Sequence, residues 1–305
     1  EQVALYTERV TRRALAETFD LIHGHDWMTY PAAVAIKQAT GKPLVVHVHS
    51  LEYDRSGAGV NPRIHQIEHF GVSNADAVIT VSHYTKSVVH REHGVPLNNI
   101  HVVHNGIYDL PAMRHYRAKH PDWPKHVVLF LGRVTFQKAP EYFVRAAAKV
   151  VPHVKDVLFV LAGSGDQLEG MKRLVIDLGL EDHFYFPGFV RGKAVEEMYS
   201  VADLYVMPSV SEPFGITALE AINFETPVLL SRQSGASEVL GNALKSDFWD
   251  VNRMADLIIN ALIHEEMRDE LRIMAKRELK NLRWDASAAK TIDVYRSLVP
   301  KEAAV

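Results

Sequence analysis

The sequence contains no cysteine among its 305 residues. That absence excludes disulfide bonds, thiolate zinc sites and a thiol nucleophile, and a cytoplasmic location is the simplest one for such a chain. Uninterrupted apolar runs are short, and none approaches the roughly 20 residues of a membrane-spanning helix, so membrane insertion is not expected. A large charge of one sign is also missing, since the formal net charge is −3. Nucleic acid and anionic membranes are therefore not expected as partners.

The composition, with 47% hydrophobic and 23% charged residues, is that of a globular protein long enough for two domains. Short β-branched apolar runs alternate with helical patterns, which predicts an α/β protein with parallel sheets covered by helices. The first group of predicted strands spans residues 19–22, 43–48, 77–81 and 100–103, with helices at 30–39, 63–73 and 84–92. The second group spans residues 126–131, 157–162, 183–186, 204–207 and 227–230, followed by amphipathic helices at 252–282 and 286–298.

A polar, proline-containing stretch over residues 108–126 separates the two groups and is predicted to be a linker. We therefore expect two doubly wound, Rossmann-like domains, the first over residues 1–107 and the second over residues 108–284. A last helix over residues 285–305 would pack across both. The chain begins on a helical pattern, without the strand and glycine-rich turn that usually open such a sheet, so we expect the first domain to be incomplete.

The segment SEPFGITALEA, residues 211–221, joins a predicted strand to a helix. We expect this helix to begin near Pro213, because proline suits the first helical turn. The amides of Phe214, Gly215 and Ile216 would then lie at the helix N-terminus, where unpaired N–H groups and the helix dipole favour an anion or sugar oxygens. Gly215 would let a ligand approach the backbone.

Two glutamates of this segment, Glu212 and Glu220, are eight positions apart. A helical rise of about 1.5 Å per residue would separate them by roughly 12 Å, whereas glycosidases hold their two carboxyl groups about 5 to 9.5 Å apart. The spacing therefore disfavours a glycosidase and suits an extended ligand such as a nucleotide sugar. The plain alternative is a helix with one glutamate favoured by the dipole and a solvated one two turns later.

Two cations, Arg133 and Lys138, follow the first strand of the second group in the segment GRVTFQKAPEYF. Ligands of open α/β sheets bind at the carboxyl edge of the strands, and a diphosphate there needs a metal or fixed positive charge. These two side chains would supply the charge, although a surface arginine and lysine at this spacing are often merely solvated. The glycine-rich loop GSGD, residues 163–166, matches no nucleotide-binding motif and is interpreted as a turn.

Histidine is concentrated early, with 14 of the 17 in the first 126 residues. His25, Asp26 and His49 follow apolar strands and are expected at a cleft, whereas His47 is expected inside the sheet. The spacings His23-x-His25 and His47-x-His49 also occur in metal sites. The preferred interpretation is that these imidazoles line a polar cleft or bond to the backbone, and no metal site is predicted.

Taken together, these segments resemble the retaining GT-B glycosyltransferases, the group 1 family that includes glycogen synthases and sucrose-phosphate synthases. Each segment is weak alone, but jointly they are specific, and the likeness covers nearly the whole chain. The resemblance implies two Rossmann-like domains facing a cleft and a hexosyltransferase that uses a nucleotide-diphosphate sugar. The matching segments are GHDW at 24–27, VHSLEYDRSG at 48–57, HNG at 104–106, GRVTFQK at 132–138 and SEPFGITALEA at 211–221.

The resemblance also implies roles for residues that would hold the donor. Arg133 and Lys138, with Gly132, would bind the diphosphate. Ala139 departs from the family, which usually has glycine there, and could crowd the phosphate loop. The residues expected at the sugar and the nucleoside are Glu212 at the transferred sugar, Glu220 at the ribose hydroxyls, Val190 at the base, and Phe214, Gly215, Ile216 and Thr217 through their backbone amides.

In the first domain, the resemblance places His49 at the donor sugar, near the reacting carbon. Asp26 is a candidate on the acceptor side, and so is Asp54. Asp54 belongs to the loop at residues 50–57, whose hydrogen-bonding groups suit carbohydrate or, equally, a capped turn.

The family mechanism fits the residues present, because no side chain stands out as a nucleophile. Retention is ascribed to front-face attack, in which the departing phosphate accepts the proton of the acceptor. Catalysis would then rest on charge stabilisation by Arg133, Lys138 and the helix N-terminus, with positioning by domain closure. No cofactor and no metal are expected, since Asp247 and Asp250 are interpreted as packing residues. Transfer of an α-glucosyl group to a carbohydrate acceptor rests on the resemblance alone.

Other functions remain open from the sequence. A sugar-nucleotide epimerase shares the architecture, but the paired glutamates and the paired cations disfavour it. A phosphorylase would need a lysine that carries pyridoxal phosphate, and no segment indicates one. A module that binds nucleotide sugar without transferring it is the alternative of another class, and binding without turnover would identify it.

Overall fold

The structure is a computed structural model that describes residues 2–108 and 122–299. The chain divides into two compact units, Glu1–Gly106 with Trp284–Val305, and Ile107–Arg283. Each unit contains one parallel β-sheet, which confirms the α/β class. The predicted linker over residues 108–126 lies largely outside the described residues. None of the helices in the described ranges combines the length and apolar character that a membrane crossing requires.

The first unit has a four-stranded sheet whose strands lie side by side in chain order. Alternate residues of its strands face opposite sides, and on one side Val46 of the second strand packs with Val34 and Val88 from the covering helices. The elements are α1 (Gln2–Ala14), β1 (Ile22–His25), α2 (Tyr30–Thr40), β2 (Leu44–Val48), α3 (Glu52–Ser56), α4 (Pro62–Asn74), β3 (Ala77–Thr80), α5 (His83–His93) and β4 (Ile100–Val102).

The second unit has a six-stranded parallel sheet whose strand order reverses in the middle. Strands β5, β6 and β7 run outward in one direction, and β8, β9 and β10 run outward in the other. Its elements are β5 (His126–Leu131), α6 (Pro140–Val150), β6 (Val157–Ala162), α7 (Leu168–Asp177), β7 (Phe184–Gly188), α8 (Lys193–Val201), β8 (Leu204–Met207), α9 (Ile216–Asn223), β9 (Val228–Ser231), α10 (Ala236–Val239), β10 (Leu244–Ser246), α11 (Val251–Ile263) and α12 (Glu265–Leu279).

The last helix, α13 (Trp284–Leu298), returns to the first unit. Its Val294 packs against Val45 and Ile79, on the side of the first sheet opposite to α2 and α5. The Ser287 hydroxyl donates a hydrogen bond of 2.6 Å to the carbonyl of His104. The last helix is therefore part of the core of the first unit.

A carboxyl group is buried between α4 and α5. Glu68 is only 1% exposed, and its Oε1 accepts the N–H of Glu52 at 2.7 Å. Its Oε2 has no hydrogen-bond partner within the described residues and lies 3.9 Å from Nε2 of His93. Burial raises the pKa of Glu68 to about 7, against the opposing effects of the Glu52 amide and Arg55.

This raised pKa predicts how stability depends on pH. The folded pKa lies above the value of an unfolded glutamate, about 4.3, so the stability that the neutral form contributes is fully present below pH 4 and is lost as the pH rises through 7. Glu68→Gln, which imitates the neutral acid, should therefore gain stability over wild type between pH 4 and pH 8, by up to about 3 kcal/mol. Urea unfolding at several pH values measures the difference. Glu169→Gln, at an exposed position, should show no such trend, and a pH-independent difference for Glu68→Gln would contradict the assignment.

Candidate active site

The strand order of the second sheet reverses between β5 and β8. β5 and β8 are adjacent there, with Val128 paired to Leu204 and Leu129 paired to Tyr205. The chain leaves these two strands through loops on either side of the switch point, where open α/β sheets bind their ligands. The loops are residues 132–139 and 208–215. They contain part of the candidate residues that the sequence predicts in the second domain, whereas the others lie in α9 or after β7. The candidates in the loops are Gly132, Arg133, Lys138, Glu212, Phe214 and Gly215, and those outside them are Ile216, Thr217, Glu220 and Val190.

A buried glutamine joins the two loops. The Nη2 of Arg133 donates to Oε1 of Gln137 at 2.9 Å, and Nε2 of Gln137 donates to the carbonyl of Ser211 at 3.1 Å. The Gln137 carbonyl also accepts the N–H of Val210 at 3.0 Å. Gln137 is only 4% exposed, whereas Arg133 is exposed. Sequence reasoning missed Gln137, because nothing in the motif distinguishes a bridging glutamine from a solvated one.

Lys138 and Glu212 meet across the switch point. Nζ of Lys138 and Oε2 of Glu212 form an ion pair whose side chains are 16% and 9% exposed. The Ser209 hydroxyl donates a further hydrogen bond to the same carboxylate oxygen at 3.3 Å. A largely desolvated ammonium is thus held in place beside a carboxylate. This arrangement can present positive charge to an anion while the carboxylate accepts hydrogen bonds from a polyol.

The backbone conformation at Ala139 explains why the family usually has glycine at this position. Ala139 adopts φ 52° and ψ 51°, a left-handed conformation, immediately before Pro140 opens α6. Glycine takes this conformation without strain and alanine does not. The side chain of Ala139 is buried within the turn. Its expected effect on the phosphate loop is therefore through the conformation of the backbone.

The helix after β8 begins later than predicted. α9 starts at Ile216, not near Pro213, and Gly215 stands before it with φ 103°. The first-turn amides that lack partners within the helix are therefore those of Ile216 and Thr217, with Gly215 leading into them. Because Glu212 lies outside the helix, the helical rise does not determine its distance from Glu220.

Two tyrosines hold the polar side chains of α9. The hydroxyl of Tyr199 donates to Oε2 of Glu220 at 3.0 Å, and that of Tyr205 lies 2.9 Å from Oγ1 of Thr217. Burial, more than the nearby Tyr205 and Glu220, raises the pKa of Tyr199 well above its usual value. Tyr199 therefore stays protonated and remains a donor to Glu220. Sequence reasoning missed both tyrosines, because nothing in the sequence distinguishes them from ordinary core residues.

Comparison with known proteins identifies the family. Residues 114–278 match the family described as Glycosyl transferases group 1, and residues 2–109 match Glycosyltransferase Family 4. An uncharacterized glycosyltransferase of Methanocaldococcus jannaschii is 32% identical over 297 residues, which cover 92% of this chain and 76% of that protein. The chain belongs to the group 1 glycosyltransferases. It is therefore a transferase enzyme, as the sequence predicts.

Solved structures confirm the GT-B fold of this glycosyltransferase. Sucrose-phosphate synthase from Thermosynechococcus elongatus superposes with a TM-score of 0.84 at 24% identity, over 97% of this chain and 78% of that one. The Anabaena protein HepE, in a complex with UDP and glucose, superposes with a TM-score of 0.82 at 19% identity, over 97% and 83% of the two chains. At these identities the likeness concerns the fold.

In the first unit of the glycosyltransferase, Asp26 fixes the loop that carries His49. Oδ1 of Asp26 accepts the N–H of His49 at 2.8 Å and that of Ser50 at 3.4 Å, while Asp26 itself adopts φ 57°. Nε2 of His49 is joined to Nδ1 of His25 by a hydrogen bond of 2.9 Å. Burial lowers the pKa of His49, and nearby Asp26 only partly opposes it. A neutral His49 ring can donate or accept a hydrogen bond.

The two remaining candidates differ in accessibility. Asp54 is only 2% exposed, and its Oδ2 accepts the N–H of Leu51 at 2.7 Å at the start of α3. This hydrogen bond forms the capped turn, which is one of the two interpretations that the sequence allows for residues 50–57. A role for Asp54 toward an acceptor stays a prediction. Val190 follows β7 and is half-buried. The neighbouring Phe189 is exposed, and Cζ of Arg191 lies 4.8 Å from the centroid of its ring.

Proposed function

We propose that this glycosyltransferase is a retaining enzyme that transfers a hexosyl group, an α-glucosyl group, from a nucleotide-diphosphate sugar to a carbohydrate acceptor without a metal. One observation carries the proposal. At the switch point of the second sheet, the Lys138 ammonium lies against Glu212, beside a loop that ends in Gly215 and the N-terminus of α9. Fixed positive charge, a hydrogen-bonding carboxylate and helix amides together suit a sugar linked to a diphosphate.

Each of these side chains would contact a different part of the donor. Lys138 and Arg133 would neutralise the charge that develops on the departing diphosphate, and the amides of Ile216 and Thr217 would add to it. Glu212 would accept hydrogen bonds from hydroxyls of the transferred sugar. Glu220, oriented by Tyr199, would accept those of the ribose.

The reaction would proceed on one face of the sugar. The bond between the anomeric carbon and the diphosphate oxygen breaks, while the acceptor oxygen bonds to the same carbon from the same face. The acceptor's proton passes to the departing phosphate oxygen. We propose that His49, neutral and joined to His25, hydrogen-bonds the transferred sugar.

The choice of a glucosyl donor rests on the similar proteins. Sucrose-phosphate synthase and the Anabaena protein in complex with UDP and glucose share this fold, and an α-maltose-1-phosphate synthase of Mycolicibacterium smegmatis is 29% identical over 312 residues. These names favour glucose and a carbohydrate acceptor. Metal independence is proposed because Arg133 and Lys138 would supply the positive charge that a diphosphate needs.

Calorimetric titration with UDP, ADP and GDP tests the donor site. The wild-type chain should bind one of the three in the presence of EDTA, which names the base. Arg133→Ala should weaken that binding at least 10-fold, since it removes a charge from the phosphates, and Glu220→Ala should weaken it by a similar factor through the ribose. Arg145→Ala, which removes an exposed arginine on α6 that pairs with Glu141, is the matched control and should bind as wild type does.

Two results would overturn the proposal. A folded wild-type chain that binds none of the three nucleotides has no donor site of this kind. Binding that EDTA abolishes would show that a metal holds the diphosphate. Binding without transfer to any glucoside or sugar phosphate would instead support the non-catalytic alternative.

A further inference from the structure

Four histidines of the first unit form a compact group, here called the histidine cluster: His23, His25, His47 and His49. Residues Ile22, Leu44, Val46 and Val48 of β1 and β2 face the core beneath α2 and α5. By strand alternation, the histidines continue the opposite row, which begins with Leu21 and Val45 on the side covered by α13. The strands pair in register, with His25 opposite His47. The four imidazoles therefore converge on one side of the sheet.

The imidazole rings are in mutual contact. The ring centroids of His23 and His25 are 4.2 Å apart, and so are those of His47 and His49. Between the two strands, the centroids of His25 and His47 are 5.3 Å apart. One ring nitrogen from each of His23, His25 and His47 lies within 4.8 Å of the other two. The rings of His23 and His47 are stacked with an interplanar angle of 2°, so a single ion could bind all three only after side-chain rotations that turn these nitrogens toward it.

The nitrogens of the cluster are poorly satisfied by the protein. His47 is only 8% exposed, and neither of its ring nitrogens has a hydrogen-bond partner within the described residues. Nε2 of His23 is also buried and lacks a partner there. A buried polar atom without a partner typically costs about 1 to 3 kcal/mol. Simple core packing therefore does not explain why imidazoles, and not apolar side chains, occupy these positions.

A tyrosine from α13 orients the ring of His23. The Tyr295 hydroxyl lies 2.5 Å from Nδ1 of His23, so that Nε2 is the nitrogen directed away from this contact. Histidines that bind metals commonly engage their second nitrogen in such a hydrogen bond, which fixes the ring and its tautomer. His25 is comparable, because its Nδ1 is joined to His49 and leaves Nε2 for another partner.

We propose that His23, His25 and His47 bind a transition-metal dication, Zn²⁺ or a close relative such as Co²⁺ or Ni²⁺. Imidazole nitrogen suits these ions, whereas Mg²⁺ and Ca²⁺ require oxygen ligands. Exposed His25 gives the ion a route from solvent, and a solvent molecule would complete four-fold coordination.

The protonation state of the cluster is compatible with this role. A histidine must be neutral to bind a metal. Burial, with smaller contributions from the neighbouring imidazoles, lowers the pKa of His23 to about 4 and that of His47 to about 2. Burial also lowers the pKa of His25. The three ligands are thus deprotonated at neutral pH without help from the ion.

Zinc titration of the EDTA-treated chain, followed by calorimetry and by the visible absorption of Co²⁺, tests the site. Wild type should bind one ion. His47→Val should weaken binding at least 10-fold and should fold, since valine suits a buried strand and the His47 backbone contacts are kept. His25→Ala, at an exposed position, should weaken binding similarly and serves if the first variant is unstable. A second group, His65 with Glu68 and His93, could also hold an ion, so His65→Ala is the matched control and should bind as wild type does.

The outcomes separate this site from the proposed donor site. Unchanged zinc affinity in both His47→Val and His25→Ala would overturn the inference, and so would a loss of binding confined to His65→Ala. Absence of binding by wild type would overturn it as well. The proposed diphosphate site lies in the other unit, so UDP, ADP or GDP titrations of His47→Val should match wild type whether or not zinc binds.

Discussion

Replacing Lys138 with alanine is expected to lower kcat/KM for sugar transfer by about 100- to 1000-fold, the usual effect of removing one preorganised charge from a transition state. In the structure Lys138 is held by Glu212, with a side chain only 16% exposed. Its ammonium therefore needs little reorganisation to meet the charge that develops on the departing diphosphate. Because the interaction strengthens in the transition state, kcat should fall more than the affinity for the donor. Initial rates with a nucleotide-sugar donor and a carbohydrate acceptor measure the effect.

The same substitution also tests the role of the ion pair. Without Lys138, the Glu212 carboxylate, whose side chain is 9% exposed in the wild-type chain, loses its counter-charge and keeps the hydrogen bond from Ser209, so some loss of stability should accompany the loss of rate. The double variant Lys138→Ala with Glu212→Gln should recover stability but not rate. Lys172→Ala, which removes an exposed lysine paired with Glu169, is the matched control and should change neither. Wild-type kcat in Lys138→Ala would show that this lysine does not act on the leaving group.

The long hydrophobic strands of the second unit were predictable because they are buried on both faces. β5, β6 and β8 begin and end where the sequence places them, as continuous apolar runs. β1 is displaced from the predicted range, because His23 and His25, two of its four residues, are polar and give no apolar strand pattern. β10 was missed because its residues, Leu244–Ser246, are too few to show a period.

The sequence predicted that the final segments are helical, but it did not predict where the individual helices begin and end. The expected helix over residues 252–282 is two helices, α11 and α12, which meet at His264. His264 has an extended backbone, with φ −102° and ψ 93°, and ends one helix as it begins the next. Neither glycine nor proline occurs at this break, and the amphipathic pattern continues through it. The sequence therefore predicts one helix where the structure has two.

The sequence predicted which loops form the candidate site, but it did not predict the contacts between their side chains. Motif and strand position indicated that Lys138 and Glu212 belong to one edge, but only the adjacency of β5 and β8 brings the two charges together. The start of α9 was misplaced because Pro213 satisfies the sequence rule for a first helical turn. The conformation of Gly215, with φ 103°, delays the helix to Ile216. Pairing across the sheet and backbone conformation are both decided by tertiary packing.

Gly163→Ala is expected to destabilise the second unit by about 3 kcal/mol or more, a loss typical of steric conflict with a rigid neighbour. Gly163 has φ 147°, which side-chain-bearing residues rarely adopt, and its N–H donates to the carbonyl of Gly188 at 2.8 Å. A β-carbon there would overlap the carbonyl oxygen of Gly132 and lie 3.0 Å from its carbonyl carbon. That neighbour is backbone and cannot move aside as a flexible side chain could.

The displaced backbone would be the one that leads into Arg133, so nucleotide binding should weaken together with stability. Urea unfolding and nucleotide titration measure the two effects. Gly170→Ala is the matched control, because this glycine lies within α7 and a β-carbon there meets nothing within 4 Å. The control should be neutral or more stable by about 0.5 to 1 kcal/mol, since alanine favours the helix. Equal stability of the two variants would show that the loops after β5 and β6 can separate freely, and that the close approach of Gly163 to Gly132 does not fix the position of Arg133.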